Sequence, residues 1–391
     1  MKNKILSDRN LHIIFGTTLL AVMGVSSITP AFPKIIRYFG INAHQVGLLI
    51  TVFTLPGVVL TPLLGILADR LGRKKILVPS IFLFGLAGGA CGLTKDYQLL
   101  LVFRFLQGSG AAALGSLNIT LIGDLFTGRD RVSAMGYNAS VLSIGTASYP
   151  AIGGGLAMLG WNFPFFFPLL AIPLGLWVIF SLNNPEPRQE LDLKTYLVRT
   201  FLSIWKKRVL GLFLLSILTF VILYGSMLTY MPIKLGNDFG AAPYLIGLIM
   251  SVSSISTAIT SSQLGRISSR MPARRILFMV VLFYALALVI IPEIHSLWLM
   301  ALPAIFFGIA MGMNIPTLQT LLVGSAPPEY RAAFMSVNGM VLRIGQTLGP
   351  LITGIFYALR GIDAAFFGGA CVALLMGIIV LLLIRKEHAG D

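Results

Sequence analysis

The chain alternates long apolar runs with short polar ones. Twelve runs of helix-spanning length can be drawn, at approximately 11–36, 44–68, 76–94, 97–123, 132–159, 163–182, 209–233, 243–266, 275–292, 296–323, 332–358 and 364–384. A bilayer's hydrocarbon core is ~30 Å thick, and one helical crossing takes about 20 predominantly apolar residues. The runs are continuous, without the period-two alternation of barrel strands, so the pattern predicts helices. The expected fold class is therefore an all-α integral membrane protein with twelve transmembrane helices.

Composition agrees. Apolar residues make up 56% of 391 positions and charged residues 11%, where a soluble protein carries roughly a quarter charged. The net charge of +15 would suit a nucleic-acid partner, but its placement argues against one. Most of the basic residues fall in one alternate set of connecting segments. The other set holds only Lys34, Arg37, Lys95, Lys234 and Arg360, while Arg104 and Arg343 lie within helices. Such a bias orients a membrane protein, here with both termini in the cytoplasm. The first run lacks a small-residue cleavage site, so a removable signal peptide is not expected. Cys91 and Cys371 both fall inside apolar runs. They read as small core residues, with neither a disulfide framework nor a metal site implied.

The chain also repeats itself at an offset of 200 residues. Phe39-Gly40 returns as Phe239-Gly240, Gly47-Leu48 as Gly247-Leu248, and Gly108 as Gly308. The densest match sets Arg131, Met135, Asn138, Leu142, Ile144-Gly145, Pro150 and Gly154 against Arg331, Met335, Asn338, Leu342, Ile344-Gly345, Pro350 and Gly354. Six helices per copy make the halves parallel repeats, an arrangement of secondary transporters whose substrate site lies between them. The expected division is residues 1–182, a linker at 183–208, and residues 209–391. Within the linker, Leu193, Leu197, Phe201 and Ile204 share one helical face ahead of Lys206-Lys207-Arg208, as in an amphipathic helix lying on a membrane surface.

Between the second and third runs stands Gly65-Ile-Leu-Ala-Asp69-Arg70-Leu-Gly72-Arg73-Lys74-Lys75. Gly65 would let helices approach, Gly72 would supply a turn, and Asp69 could pair with Arg73 or sit at a helix N-terminus. The cognate loop in the second half has Ser269 for Asp69 and Ala273 for Arg73, and Gly324 answers Asp124. The fourth run carries Arg104-Phe-Leu-Gln107-Gly108-Ser-Gly110, with Arg104, Gln107, Gly108, Ala111 and Asn118 on one face. An intramembrane Arg should face the bundle interior with a partner. Backbone carbonyls of the first helix are the structural alternative to a functional role. The fifth run reads Gly136, then Gly145-Thr-Ala-Ser-Tyr149-Pro150-Ala-Ile-Gly153-Gly154, small residues that permit close helix packing.

These motifs resemble the major facilitator superfamily, and in particular its twelve-helix drug:proton antiporter branch. The loop at Asp69 is similar to the superfamily's signature loop, the fourth-run motif to R-x-x-q-G-x-g-a, and the fifth to G-x8-G-x3-G-P-x2-G-G, with Tyr149 where glycine is usual. The resemblance implies two six-helix bundles and proton-coupled efflux of small amphipathic molecules by alternating access. It implies a conformational latch of Gly65, Asp69, Arg70, Gly72, Arg73 and Asp124 against the start of the eleventh helix. It also implies that Gly145, Pro150, Gly153 and Gly154 pack against the eighth helix, and that Arg104 assists coupling or substrate binding. Helices that flank the cavity in this superfamily contribute Ser26, Gln107, Asn118, Tyr224, Met227, Tyr230, Met311, Asn314 and Gln319 as lining candidates.

All 14 acids fall at or beyond the expected membrane edges, which leaves Asp69 and Asp124 as candidate protonation sites. The interior instead holds two fixed cations, Arg104 and Arg343. An anionic metabolite or lipid, exported or flipped, would supply a counter-charge. Expected partners are a small-molecule substrate, protons and membrane lipid, with no nucleic acid. The expected protein is a monomer without cofactor or metal, located in a bacterial inner membrane. An enzyme is disfavoured because no nucleophile–base or metal-ligand spacing is present. A non-transporting sensor on the same scaffold is the alternative from another class.

Overall fold

The protein is described by a computed structural model covering residues 5–182, 207–325 and 331–383. Every regular element in those residues is helical. In hydrocarbon each unsatisfied backbone N–H or C=O costs several kcal/mol, and a helix satisfies them within itself. The first unit comprises Met1–Glu190 and Ala242–Gly247, and the second Leu191–Ala241 and Leu248–Asp391. The amphipathic segment expected at Leu193–Ile204 lies outside the described residues.

In the first unit the helices are α1 (Arg9–Ser26), α2 (Phe32–Phe39), α3 (Ala43–Leu71), α4 (Arg73–Cys91), α5 (Tyr97–Leu125), α6 (Gly128–Leu159), α7 (Phe163–Phe166) and α8 (Ala171–Ser181). The second holds α9 (Lys207–Ile222), α10 (Met231–Asp238), α11 (Pro243–Ser268), α12 (Ala273–Ile290), α13 (Ala301–Ser325), α14 (Arg331–Arg360) and α15 (Ile362–Leu383), with the opening turn of α11 counted in the first unit. Among the described residues, ten helical stretches are long and apolar enough to cross a membrane. The other two runs read as crossings, 132–159 and 332–358, correspond to α6 and α14. These helices are 32 and 30 residues long, but glycine, serine and asparagine replace much of their aliphatic content.

Both units interrupt their first helix, at positions that overlap in the repeat. After α1 the chain tightens into a 3-10 turn over Thr29–Ala31 and resumes as α2. After α9 it widens into a π-helix over Leu223–Tyr230 and resumes as α10. π segments inside α-helices occur frequently at functional sites. The side chains of the π turn find local partners: Thr229 donates to the Tyr224 carbonyl, and Ser226 to that of Ala365 on α15.

Within the first unit α5 packs on α3, α4 and α1, and α1 also meets α6. In the second, α13 packs on α12, and α14 lies along α9 and the π turn. Glycine sets the closest approaches. A Cβ on Gly108 of α5 would collide with the Phe53 carbonyl oxygen of α3, and one on Gly153 with that of Ser27. Gly65 corrects an expectation. A Cβ there would meet nothing within 4 Å, so Gly65 is not a helix-approach position. Gly72 does make the turn between α3 and α4, with φ at 102° in the region that side-chain-bearing residues avoid. Of the two cysteines, Cys91 is buried and Cys371 is exposed on α15. Lipid is as apolar as a protein core, so composition alone did not separate the two faces of that helix.

Gly108→Ala is expected to destabilise the protein by about 1–3 kcal/mol through overpacking against the α3 backbone. Gly115→Ala, where an added Cβ meets nothing within 4 Å, is expected to melt as wild type. Thermal denaturation of the purified protein in detergent compares the two.

Candidate functional site

The residues singled out by sequence gather into four groups. The first is a charge cluster at the α3–α4 turn. Arg73 ion-pairs with Asp69, four residues before it near the end of α3, and its Nε donates to Asp124 Oδ2 at the end of α5, 3.0 Å away. Its side chain is 11% exposed against 60% and 36% for the two acids. One largely buried cation thus holds two carboxylates from different helices, a net charge of −1. Gly72 aims Arg73 by starting α4 directly after the turn. Arg70 beside them is exposed.

The second group surrounds Arg104, which is fully buried. Its Nε donates to the Leu49 carbonyl of α3 at 3.0 Å. Its Nη1 donates to the Gly24 carbonyl of α1 at 2.9 Å and to Gln107 Oε1 at 2.6 Å. The guanidinium lies 4.2 Å from the centre of the Phe53 ring, a cation–π contact. Arg104 Nη2 and Gln107 Nε2 are left without a partner. Arg104 therefore ties three helices together through carbonyls, a ring and an amide. Further along α5, Asn118 accepts from Thr17 and donates to Thr18, and Thr18 donates to Asn138 of α6. Ser26 is half-buried at the end of α1.

The third group lies on the π turn, α12 and α13. Asn314 is fully buried and donates to Thr219 Oγ1 at 2.7 Å and to the Tyr284 hydroxyl at 3.4 Å, with its own Oδ1 unpartnered. The Tyr284 hydroxyl also donates to Met311 Sδ at 2.8 Å. Tyr230 stacks on Tyr357, and Met227 is buried. Tyr224 is half-buried, and on α14 Arg343 Nη1 donates to Gln346 Oε1 at 3.1 Å. Gln319 is exposed on α13.

The glycine motif of α6 forms the fourth group. A Cβ on Gly154 would meet the Pro243 carbonyl oxygen, and one on Gly247 that of Pro150, both within the first unit. Gly145 faces Leu19 and Val22 of α1, and Tyr149 sets its ring edge-on to Phe167.

Sequence reasoning missed a fifth cluster. The charge pattern assigns Lys234 to a connecting segment, yet it lies inside α10 and is 3% exposed. Its Nζ bonds Asp238 Oδ2 at 2.8 Å and Asp363 Oδ1 at 2.7 Å. The i,i+4 spacing of Lys234 and Asp238 was a usable signal. Nothing in the sequence pointed to Asp363, on a distant helix. Tyr284 and Phe53 were missed because buried aromatics carry no pattern of their own.

The family described as Major Facilitator Superfamily matches residues 14–235 and 231–391. The bacillibactin exporter of Bacillus subtilis (strain 168) is 28% identical over 356 residues, 88% of each chain. Multidrug resistance protein 2 of the same organism is 24% identical over 400 residues, covering 100% of this chain and 99% of that one. Among solved structures, the nucleoside transporter NupG superposes with a TM-score of 0.79 at 14% identity, covering 96% of this chain and 99% of that one. A bacterial homologue of the human lysosomal transporter Spinster, inward-facing and unoccupied, gives 0.76 at 18% identity over 96% and 94%.

Arg104→Gln is expected to lower stability by at least about 3 kcal/mol, since it withdraws a charged donor from two carbonyls at roughly 1.5–3 kcal/mol per bond. Arg104→Lys is expected to recover less than half, because an ammonium lacks the planar fork that spans both. Thermal melts of the three proteins in detergent measure both differences.

Proposed function

Because the chain belongs to the Major Facilitator Superfamily, we propose that it is a secondary transporter that exports small amphipathic molecules by alternating access, driven by protons. The observation that carries this reading is the length of the match. Relatives named as exporters or multidrug resistance proteins align over 88% to 100% of the chain, so both repeated halves take part. The superfamily and its fold point to transport rather than catalysis.

The finer reading follows the charges. α6 and α14 complete twelve crossings, their glycine-rich faces meeting protein rather than lipid. Both termini lie in the cytoplasm of a bacterium, on the side where the basic residues collect. Residues 1–182 and 209–391 act as two bundles joined by 183–208, in a monomer. Arg73 with Asp69 and Asp124 is then a cytoplasmic latch whose absent counterpart, at Ser269 and Ala273, leaves the second half without one. Two carboxylates sharing one cation leave one acid free to exchange a proton without unmaking the pair. The substrate faces Tyr224 on the π turn, with the buried Met227 and Tyr230 packed behind it as an adaptable apolar backing.

In proteoliposomes with an imposed pH gradient, wild type is expected to accumulate amphipathic dyes. Asp69→Asn combined with Asp124→Asn is expected to lower the gradient-driven rate at least tenfold, and an undiminished rate would exclude these acids from coupling. Asp69→Asn alone is expected to raise labelling of single cysteines from the cytoplasmic face and lower it from the other. Labelling equal to wild type on both faces would end the latch assignment.

A further inference from the structure

Two arginines stand within apolar helices, and their surroundings differ. Arg104 is fully buried, its Nε and Nη1 are spent on the Leu49 and Gly24 carbonyls and on Gln107, and the Phe53 ring covers its face. A ligand would have to displace that ring to reach the guanidinium.

Arg343 is half-buried rather than sealed. Its side chain makes one hydrogen bond among the described residues, to the neutral Gln346 one turn along α14. Among the described residues no carboxylate pairs with it. A guanidinium carries five N–H donors in a planar fork, so most of its capacity is uncommitted. An ionised group in a membrane helix is costly unless it meets a partner or lines a polar cavity. The position is not a requirement of the repeated scaffold either, since Ser143 answers it in the first half.

The neighbouring surface is aromatic. An added Cβ at Gly345 would stand 2.8 Å from Phe220 Cβ, and one at Gly349 3.1 Å from Tyr224 Cβ, so α14 lies tight against α9 and the π turn over the two turns that follow Arg343. The Phe220 and Tyr224 rings lie 5.9 Å apart at 31°. Tyr224 is within electrostatic reach of the guanidinium. A half-buried guanidinium with donors to spare thus stands on a helix that packs against the segment carrying the Phe220 and Tyr224 rings, all inside the second unit.

We propose that Arg343, with Gln346 and Tyr224, is an anion-recognition subsite that takes the carboxylate of an amphipathic aromatic anion, and that Arg104 has no part in selecting substrate charge. The inference rests on the transport reading and names its substrate class. The carboxylate pairs bidentately with the guanidinium fork, while Phe220 and Tyr224 flank the aromatic body.

The test uses the full chain in proteoliposomes and two dyes on one xanthene frame, anionic 5-carboxyfluorescein and cationic rhodamine 6G. The readout is the ratio of their transport rates. Arg343→Gln is expected to lower the anion-to-cation ratio at least tenfold, and Arg343→Lys to give an intermediate ratio, because a point charge replaces the fork. Arg104→Gln is expected to slow both dyes and leave the ratio within twofold of wild type. A ratio within twofold of wild type in Arg343→Gln, or rhodamine 6G transport by wild type without carboxyfluorescein transport, would overturn the inference while leaving the transport reading intact. Movement of neither dye by wild type, with no shift of its melting by either, would overturn both. If Arg343→Gln yields no folded protein, anisotropy titration of carboxyfluorescein decides. Arg343→Lys and Gln346→Ala are each expected to weaken binding at least threefold, and wild-type affinity in both overturns the proposal.

Discussion

A hydrocarbon interior offers no outside partner for a polar group, and every feature of this protein answers to that constraint. The backbone is helical throughout the described residues' regular elements. Serine and threonine side chains within the helices turn back to a carbonyl one turn earlier, as Ser216 does to Leu212, Thr219 to Leu215 and Thr353 to Gly349. Helices then associate by close packing instead of by expelling water, which is why Gly108 and Gly153 stand directly against backbone carbonyls. The most deeply buried cations among the described residues are matched. Arg73 and Lys234 each hold two carboxylates, and Arg104 is matched by carbonyls, an amide and a ring.

Arg343 departs from that accounting. A single bond among the described residues, to Gln346, would be an unusual end state for a cation in a membrane helix, and in the neighbouring segment the regular helix has given way to a π turn. Local rules of sequence and structure tend to be broken where function requires it. The departure from α geometry and the under-partnered cation fall together on one side of the second unit.

The sequence made the gross plan readable because the signals involved are long. Ten of the twelve predicted crossings recur as long apolar helices. The other two apolar runs, 132–159 and 332–358, are helices α6 and α14, set in register by the repeat at Arg131–Gly154 and Arg331–Gly354, but neither is among the ten long apolar helices. The spacing of Asp69 and Arg73 made their ion pair legible, whereas the bond of Arg73 to Asp124 had to wait for coordinates. The expectation failed where one-dimensional pattern carries no depth or direction. Gly65 has open space around it, Cys371 is exposed, and Lys234 is buried inside a helix that hydropathy had cut short. Tyr284, which links Met311 and Asn314, leaves no mark on the sequence because a buried tyrosine and a buried phenylalanine follow the same periodicity.

The breaks after α1 and α9 show what duplication conserves. Both copies relinquish α-helical hydrogen bonding at overlapping positions, the second copy six residues earlier, and both end in Phe-Gly, at Phe39-Gly40 and Phe239-Gly240. One break is wound tighter than an α-helix and the other looser, so residues beyond them leave their helix axes at different azimuths. Lys34 and Lys234 are counterparts in the repeat, yet Lys34 reaches the Met158 carbonyl whereas Lys234 sinks between two aspartates. Twin ancestry preserved where each leading helix yields and released how far it unwinds, giving one inherited lysine two different electrostatic fates.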